Sequence, residues 1–132
     1  MKFLLDTDVC IYLINDRLPH LRILFNRHKT GDIGISSVTL FELAYGVYRS
    51  HSVELNRAVL NEFVEPLNVV EFGAEDADAC GRIRAHLARQ GRPIGAYDLQ
   101  IAAQALTRGL KLVTNNQREF ARVPGLRVEN WL

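Results

Sequence analysis

At 132 residues the chain has the length of one domain, and a domain near 150 residues buries roughly 68–70% of the surface its unfolded chain exposes, so its core needs no disulfide or metal staples. With 48% hydrophobic and 23% charged residues the composition is that of an ordinary globular protein. A net charge of +1 excludes a wholesale basic surface, so a nucleic-acid partner has to be met by a local patch.

No stretch approaches the ~20 apolar residues of a membrane span, and Asp6 and Asp8 interrupt the apolar start before a signal-peptide core can form. Cys10 and Cys80 stand in apolar contexts without a CxxC or Cys/His partner. That pattern predicts buried, reduced thiols in a cytoplasmic protein.

The first predicted element is a short buried strand over residues 2–5, ending at Asp6. Carboxylates at a strand's carboxyl end lie where open α/β sheets bind ligands. A short helix follows from Asp8 to Ile14, with Thr7 or Asp8 as its cap. Pro19 opens a second helix, Leu18 to Lys29, and Gly31 lies past its end. Asp32 to Ser36 reads as a second strand. Ser36 or Ser37 caps a helix from Val38 to Tyr48 that is apolar nearly all round, which predicts burial. Ser52 and Glu54 begin another helix that stops at Pro66, and Val69 to Phe72 is a third strand. Glu75 to Gln90 is a long helix with Ala77, Cys80, Ile83 and Leu87 inward; its acids come early and its arginines late, as the helix dipole favours. After a loop at 91–95, Tyr97 to Arg108 is helical up to Gly109. Lys111 to Thr114 is a fourth strand, Gln117 to Arg122 a short helical piece, and Leu126 to Glu129 a last strand. Strands alternating with helices predict a single domain over 1–132, a three-layer α/β/α sandwich around a mainly parallel sheet.

Three acids fall on surfaces that otherwise look packed. Asp6 ends a buried strand, Glu42 shares a helical stripe with Val38 and Tyr45, and Asp98 shares one with Ile101, Ala102 and Ala105. Each has an ordinary explanation taken alone: a helix cap for Asp6, the first-turn dipole for Asp98, an arginine partner for Glu42. If they converge, each pair at ~4 Å and an effective dielectric near 20 repels by about 4 kcal/mol. A divalent cation turns that cost into a gain, and a hard, all-oxygen set suits Mg²⁺ or Mn²⁺. Thr114 also ends a strand, and Glu119 lies about one helical turn further on. Asp8 reads as a cap or a supporting group.

Arg82, Arg84, Arg89 and Arg92 fall in an acid-free window, Ala79 to Tyr97, that leads into Asp98. A phosphate backbone approaching the acids would be held there. His20, His28, His51 and His86 form no ligand spacing and are expected at the surface.

Four motifs in order now carry a resemblance: Leu4-Leu5-Asp6-Thr7; Ser37-Val38-Thr39-Leu40-Phe41-Glu42-Leu43 with Gly46; Ala96-Tyr97-Asp98-Leu99-Gln100-Ile101-Ala102-Ala103 with Ala105; and Leu112-Val113-Thr114-Asn115-Asn116 with Glu119-Phe120. In these the chain resembles the PIN-domain ribonucleases, and more closely the VapC toxins of bacterial toxin–antitoxin pairs. Its closing stretch, Val123 to Trp131, is similar to the enterobacterial type. The resemblance implies an acidic metal site of Asp6, Glu42 and Asp98, supported by Thr7. Many PIN domains carry a fourth acid where this chain has Asn116, so Glu119 stands in or three acids suffice. It further implies Mg²⁺-dependent hydrolysis of RNA, with initiator tRNA cut in its anticodon stem-loop. A homodimer is implied too, as are a VapB antitoxin that blocks the groove and operator DNA bound only through the antitoxin.

Three rivals are weighed beside it. Asp6-Thr7-Asp8-Val9 also fits the strand-end DxD of haloacid-dehalogenase-type phosphatases, but no lysine after Lys111 and no closing acidic pair follow. A receiver-like Mg²⁺ switch needs an aspartate after its middle strand, and Val70-Glu71-Phe72-Gly73 offers none. A solitary PIN nuclease without an antitoxin differs only in its genomic company.

Overall fold

A computed structural model describes residues 1–132. Strand β1 (Phe3–Leu5) is followed by α1 (Thr7–Asn15), α2 (Pro19–Asn26), β2 (Ile33–Ser36), α3 (Ser37–Tyr48) and α4 (Val53–Val64). Then come β3 (Asn68–Val70), α5 (Ala74–Arg89), α6 (Ala96–Thr107), β4 (Lys111–Val113), α7 (Gln117–Phe120) and β5 (Val128–Glu129). The strands form one sheet in the order β3-β2-β1-β4-β5, with every pairing parallel. The chain runs outward from β1 to β3, then crosses back to β4 and β5 on the other side. Ligands of open parallel sheets bind outside the strands' carboxyl ends at such a reversal. Asp6 and Thr114 are the first residues beyond the ends of β1 and β4.

Alternate strand residues face opposite sides of the sheet. Phe3, Leu5, Ile33, Ile35 and Val113 join a core under α1 to α4, while Leu4, Val70 and Leu112 join a second core under α5, α6 and α7. Both faces are covered, as all-parallel sheets require, and the predicted three-layer sandwich is what forms.

Several details differ from the sequence reading. Asp6 rather than Thr7 or Asp8 caps α1, its carboxylate accepting from the Thr7 N–H. Helix α2 stops at Asn26, short of Lys29, and a single 3-10 turn over Thr30–Asp32 leads into β2. His28 is therefore not a free surface residue: its ring stacks on Trp131 at 4.9 Å and lies 4.7 Å from Phe3. His86 is also half-buried. On α5 the inward face is Asp76, Ala79, Ile83 and Leu87, with Ala77 exposed and Cys80 only half-buried. Asp76 is drawn in by Arg108, the C-cap of α6, whose guanidinium meets both carboxylate oxygens, at 2.5 and 3.1 Å. The same carboxylate accepts from the Gly73 N–H and the Thr107 hydroxyl. Helix α3 buries Val38, Thr39, Leu43 and Val47 but leaves Phe41, Tyr45 and Tyr48 at least half exposed. It packs on β2, β3, α1, α4 and α6, yet these neighbours leave that aromatic row in solvent, so its apolar composition did not translate into burial all round.

Gln104 ties the layers together. It is fully buried on α6, donates from Nε2 to the Val70 carbonyl at 3.0 Å, and accepts from the Ser36 hydroxyl, which itself caps α3 through the Val38 N–H. Gln104→Leu strands that carbonyl, and leaving a buried polar group unpaired costs ~1–3 kcal/mol. Chemical denaturation should show a lower midpoint with an unchanged slope.

Candidate active site

The site is built where β1 and β4 end. Asp6 is buried, and its two oxygens are both engaged: one accepts from the Thr7 N–H at 2.8 Å, the other from the Thr114 hydroxyl at 2.7 Å. Thr114 is fully buried and also accepts from the Asn116 N–H at 2.9 Å, so the turn after β4 is fastened to the end of β1. Burial, followed by the nearby charge of Asp8, pushes the Asp6 carboxyl up to about 7; the bonds from Thr114 and Thr7 pull the other way and lose.

Asp98 sits in the first turn of α6, which begins at the same edge. Burial first, then the charges of Asp6, Glu119 and Glu42, raise its carboxyl to about 7 as well. The first-turn helix dipole favours an ionised acid, so the upward shift means that burial and like charge outweigh it. Four acids, Asp6, Glu42, Asp98 and Glu119, thus share one electrostatic neighbourhood.

Glu42 has no arginine partner among the ion pairs of the molecule. Instead the Thr7 hydroxyl donates to its Oε1 at 2.8 Å and lies 3.0 Å from the Thr39 hydroxyl. Glu42 also lines a cleft of about 480 Å³ that runs between α1, α3 and α4, with Ile11, Tyr45 and Val59 on its walls. Glu119 is held by the Asn116 side-chain amide and by the Gly95 N–H, the latter at 3.3 Å, and its charge helps to raise the Asp98 carboxyl. The Asn116 side chain thus holds in place the acid three residues on.

Two participants carry more weight than the sequence reading gave them. Asp8 is half-buried and is the largest charge acting on Asp6; its DxD spacing was the available signal. Thr39 is buried one helical turn before Glu42, on the same face. None of the predicted phosphate-holding arginines makes a hydrogen bond or ion pair with the four acids. Arg84 lines a cavity of about 620 Å³ between α5 and α6, with Leu87 and Leu99 among its walls, while Arg89 and Arg92 are exposed.

A resident Mg²⁺ or Mn²⁺ fits the chemistry of this donor set. All the donors are hard oxygens, and burial first, then neighbouring acids, raises the Asp6 and Asp98 carboxyls to about 7. No three acids stand close enough to enclose an ion by themselves, but Mg²⁺ is usually held through one or two carboxylates and keeps several waters.

Comparison with known proteins agrees with this geometry. The sequence matches the PIN domain family over residues 3–126. It is 50% identical, over 99% of its length and 98% of the relative's, to a tRNA(fMet)-specific endonuclease VapC of Shigella flexneri. A protein of the same name from Salmonella typhimurium is 47% identical over 99% of this chain and 98% of its own. Among solved structures, DNA-bound VapBC from Salmonella typhimurium superposes with a TM-score of 0.95 at 47% identity, covering 100% of this chain and 99% of the other. VapBC2 from Rickettsia felis, bound to a promoter DNA fragment, gives 0.93 at 37% identity with both chains fully covered. With its acids gathered at the end of β1 and its whole length shared with these relatives, the chain belongs to the PIN-domain family, in its VapC branch.

Proposed function

We propose that this protein is a Mg²⁺- or Mn²⁺-dependent endoribonuclease, the toxin of a toxin–antitoxin pair, and that it cuts initiator tRNA in the anticodon stem-loop. The observation behind the metal-dependent chemistry is the pairing of Asp6 and Asp98 at the sheet's carboxyl edge, both raised to about 7 by burial and by neighbouring acids. Such a pair is costly without a cation between its members. The tRNA substrate rests on the names of the Shigella and Salmonella relatives.

Asp6 and Asp98 would hold the ion, with Glu42 completing the set. When bound, the cation supplies Lewis-acid stabilisation of charge on the scissile phosphodiester and lowers the pKa of water. The chain's own residues prepare the rest. Thr114 and the Thr7 N–H fix the Asp6 carboxylate, and Thr7 and Thr39 aim Glu42 towards the site, where it orients the attacking water. Glu119 serves as the fourth acid in place of Asn116. Arg84, Arg89 and Arg92 would hold flanking phosphates, as charge-assisted contacts do without reading sequence.

The similar structures solved with a partner are VapBC complexes, and on that basis a VapB-type antitoxin is the expected partner. Its tail would cover the acidic groove, the antitoxin would supply the operator contacts, and the toxin would be a homodimer. No helix here is long and apolar enough to cross a membrane. The phosphatase alternative is not favoured, because Lys111 pairs with Glu129 at 3.1 Å at the start of β4, the end away from Asp6.

Purified protein incubated with initiator tRNA should cut it with Mg²⁺ or Mn²⁺ and not with EDTA. Expression in cells should arrest growth, and co-expression of the product of an adjacent small reading frame should relieve the arrest. Metal-independent cutting sinks the proposed chemistry. Cutting without growth arrest points to a solitary nuclease.

A further inference from the structure

We infer that Phe41 and Tyr97 form a stacking platform for unpaired RNA bases, continued along α3 by Tyr45 and Tyr48; this rests on the nuclease reading and gives its site a means of choosing single-stranded substrate. Phe41 directly precedes Glu42 and Tyr97 directly precedes Asp98. Their rings meet edge to face across the gap between α3 and α6, with centroids 5.3 Å apart. Phe41 is 50% exposed and Tyr97 46%. Neither ring belongs to either hydrophobic core, so folding alone does not account for their placement.

The row continues along α3 past Glu42. Tyr45 is one helical turn beyond Phe41 and Tyr48 nearly another, each 61% exposed, so successive positions rise by ~4.5–6 Å along the axis at ~1.5 Å per residue. Each carries an arginine: Arg49 lies over the Tyr45 ring at 5.5 Å and Arg57 over the Tyr48 ring at 4.6 Å. Neither arginine is ion-paired to an acid, and Glu42 is the only acid between Asp32 and Glu54.

Flat rings interleaved with guanidinium groups suit a chain of bases and phosphates better than an apolar protein face. Bases stack on aromatic rings irrespective of identity, while arginine meets phosphate or stacks in turn. RNA offers such bases only where it is unpaired, in loops and bulges. A strand seated on this row would place a phosphate beside Glu42 and Asp98, so the same rings that select unpaired RNA would also set which bond reaches the acids.

The test uses full-length protein and a short RNA stem-loop carrying 2-aminopurine in its loop. In F41A and Y97A the KM for cleavage should rise ~10-fold or more, the loss expected from removing one base–aromatic stack. Their kcat should stay within about threefold, and the fluorescence change on binding should shrink. F41W and Y97F should restore both readouts, and all four variants should sediment and melt like the parent protein. Equal KM and equal fluorescence in F41A, Y97A and the parent overturn the inference while leaving the nuclease reading intact. A change in oligomeric state, or loss of antitoxin binding with cleavage unaltered, assigns the row to a protein interface and overturns it too. A parent protein that cuts no RNA overturns the nuclease reading and the platform together.

Discussion

Replacing Asp98 with Asn should abolish RNA cleavage and, at the same time, make the metal-free protein more stable at pH 8. Loss of a carboxylate proposed to hold the catalytic cation would forfeit several kcal/mol of charge stabilisation, which is ~10³-fold or more in rate. The stability gain has a separate origin. Burial and the charges of Asp6, Glu119 and Glu42 hold the Asp98 carboxyl near 7 rather than 3.8, so above neutral pH the folded state carries a buried charge that the unfolded chain solvates freely. Each tenfold change in proton affinity is about 1.4 kcal/mol, and allowing for coupling and partial exposure leaves a gain of ~2 kcal/mol. For a chain of this length that corresponds to a rise of ~6–8 °C in Tm.

The pH dependence follows with a definite sign. A raised carboxyl binds more protons folded than unfolded between the two pKa values, so stability falls as pH rises through that window. Metal-free protein should therefore lose stability between about pH 4 and pH 7, and Mg²⁺ should restore it at pH 8 if, as proposed, the ion binds the ionised pair. Thermal melts at pH 5.5 and 8.0, in EDTA and then in Mg²⁺, read both effects. D98N should flatten the slope and blunt the response to Mg²⁺. A D98N protein that melts below the parent at pH 8 contradicts the electrostatic account of the site.

The second large effect belongs to the α5–α6 pair, whose far end presents Asp98. Arg108→Ala should lower stability by ~2–4 kcal/mol, since it leaves the Asp76 carboxylate buried without its counter-ion. Asp76 is 1% exposed. Burial on its own would raise its pKa, but the bonds from Arg108, the Gly73 N–H and Thr107 outweigh it and hold the carboxyl below its ordinary value. Here the sign is opposite to that of Asp98. The stabilisation is complete above the unfolded pKa and is lost as pH falls through the lower, folded one. The deficit of R108A should thus be full at pH 7 and shrink in acid. The double variant D76A/R108A should lose less than the two single losses added, because residues in direct contact are not independent. Additive losses would show that the pair contributes nothing as a pair. Cleavage per folded molecule should change little, as neither residue meets the acids at the sheet edge.

These opposed carboxylates show what could and could not be read from the chain. Strand–helix alternation, Pro19 and Pro66 as punctuation, and the buried runs at 3–5 and 111–113 were enough for the parallel three-layer fold, because hydrophobic periodicity and helix stops are local properties. The suspicion attached to Asp6, Glu42 and Asp98 was likewise local, since each lies on a stripe of apolar neighbours. Element edges slipped where packing intervened: Asp76 turned the inward face of α5 because Arg108, 32 positions later, supplied its counter-ion.

By itself, then, the sequence determined the class of fold, the order of its elements and which acids stand among apolar neighbours. Only the tertiary structure decided that Asp8 presses on Asp6, that Thr7 serves Glu42, that Asn116 delivers Glu119 to Asp98, and that an apolar helix, α3, keeps an aromatic row in solvent. Thr7 and Glu42, like Glu119 and Asp98, are far apart in the chain, and Asp8 presses on Asp6 only because the fold buries the end of β1. Periodicity says which side of an element is apolar; only the packed neighbours decide what, if anything, covers it.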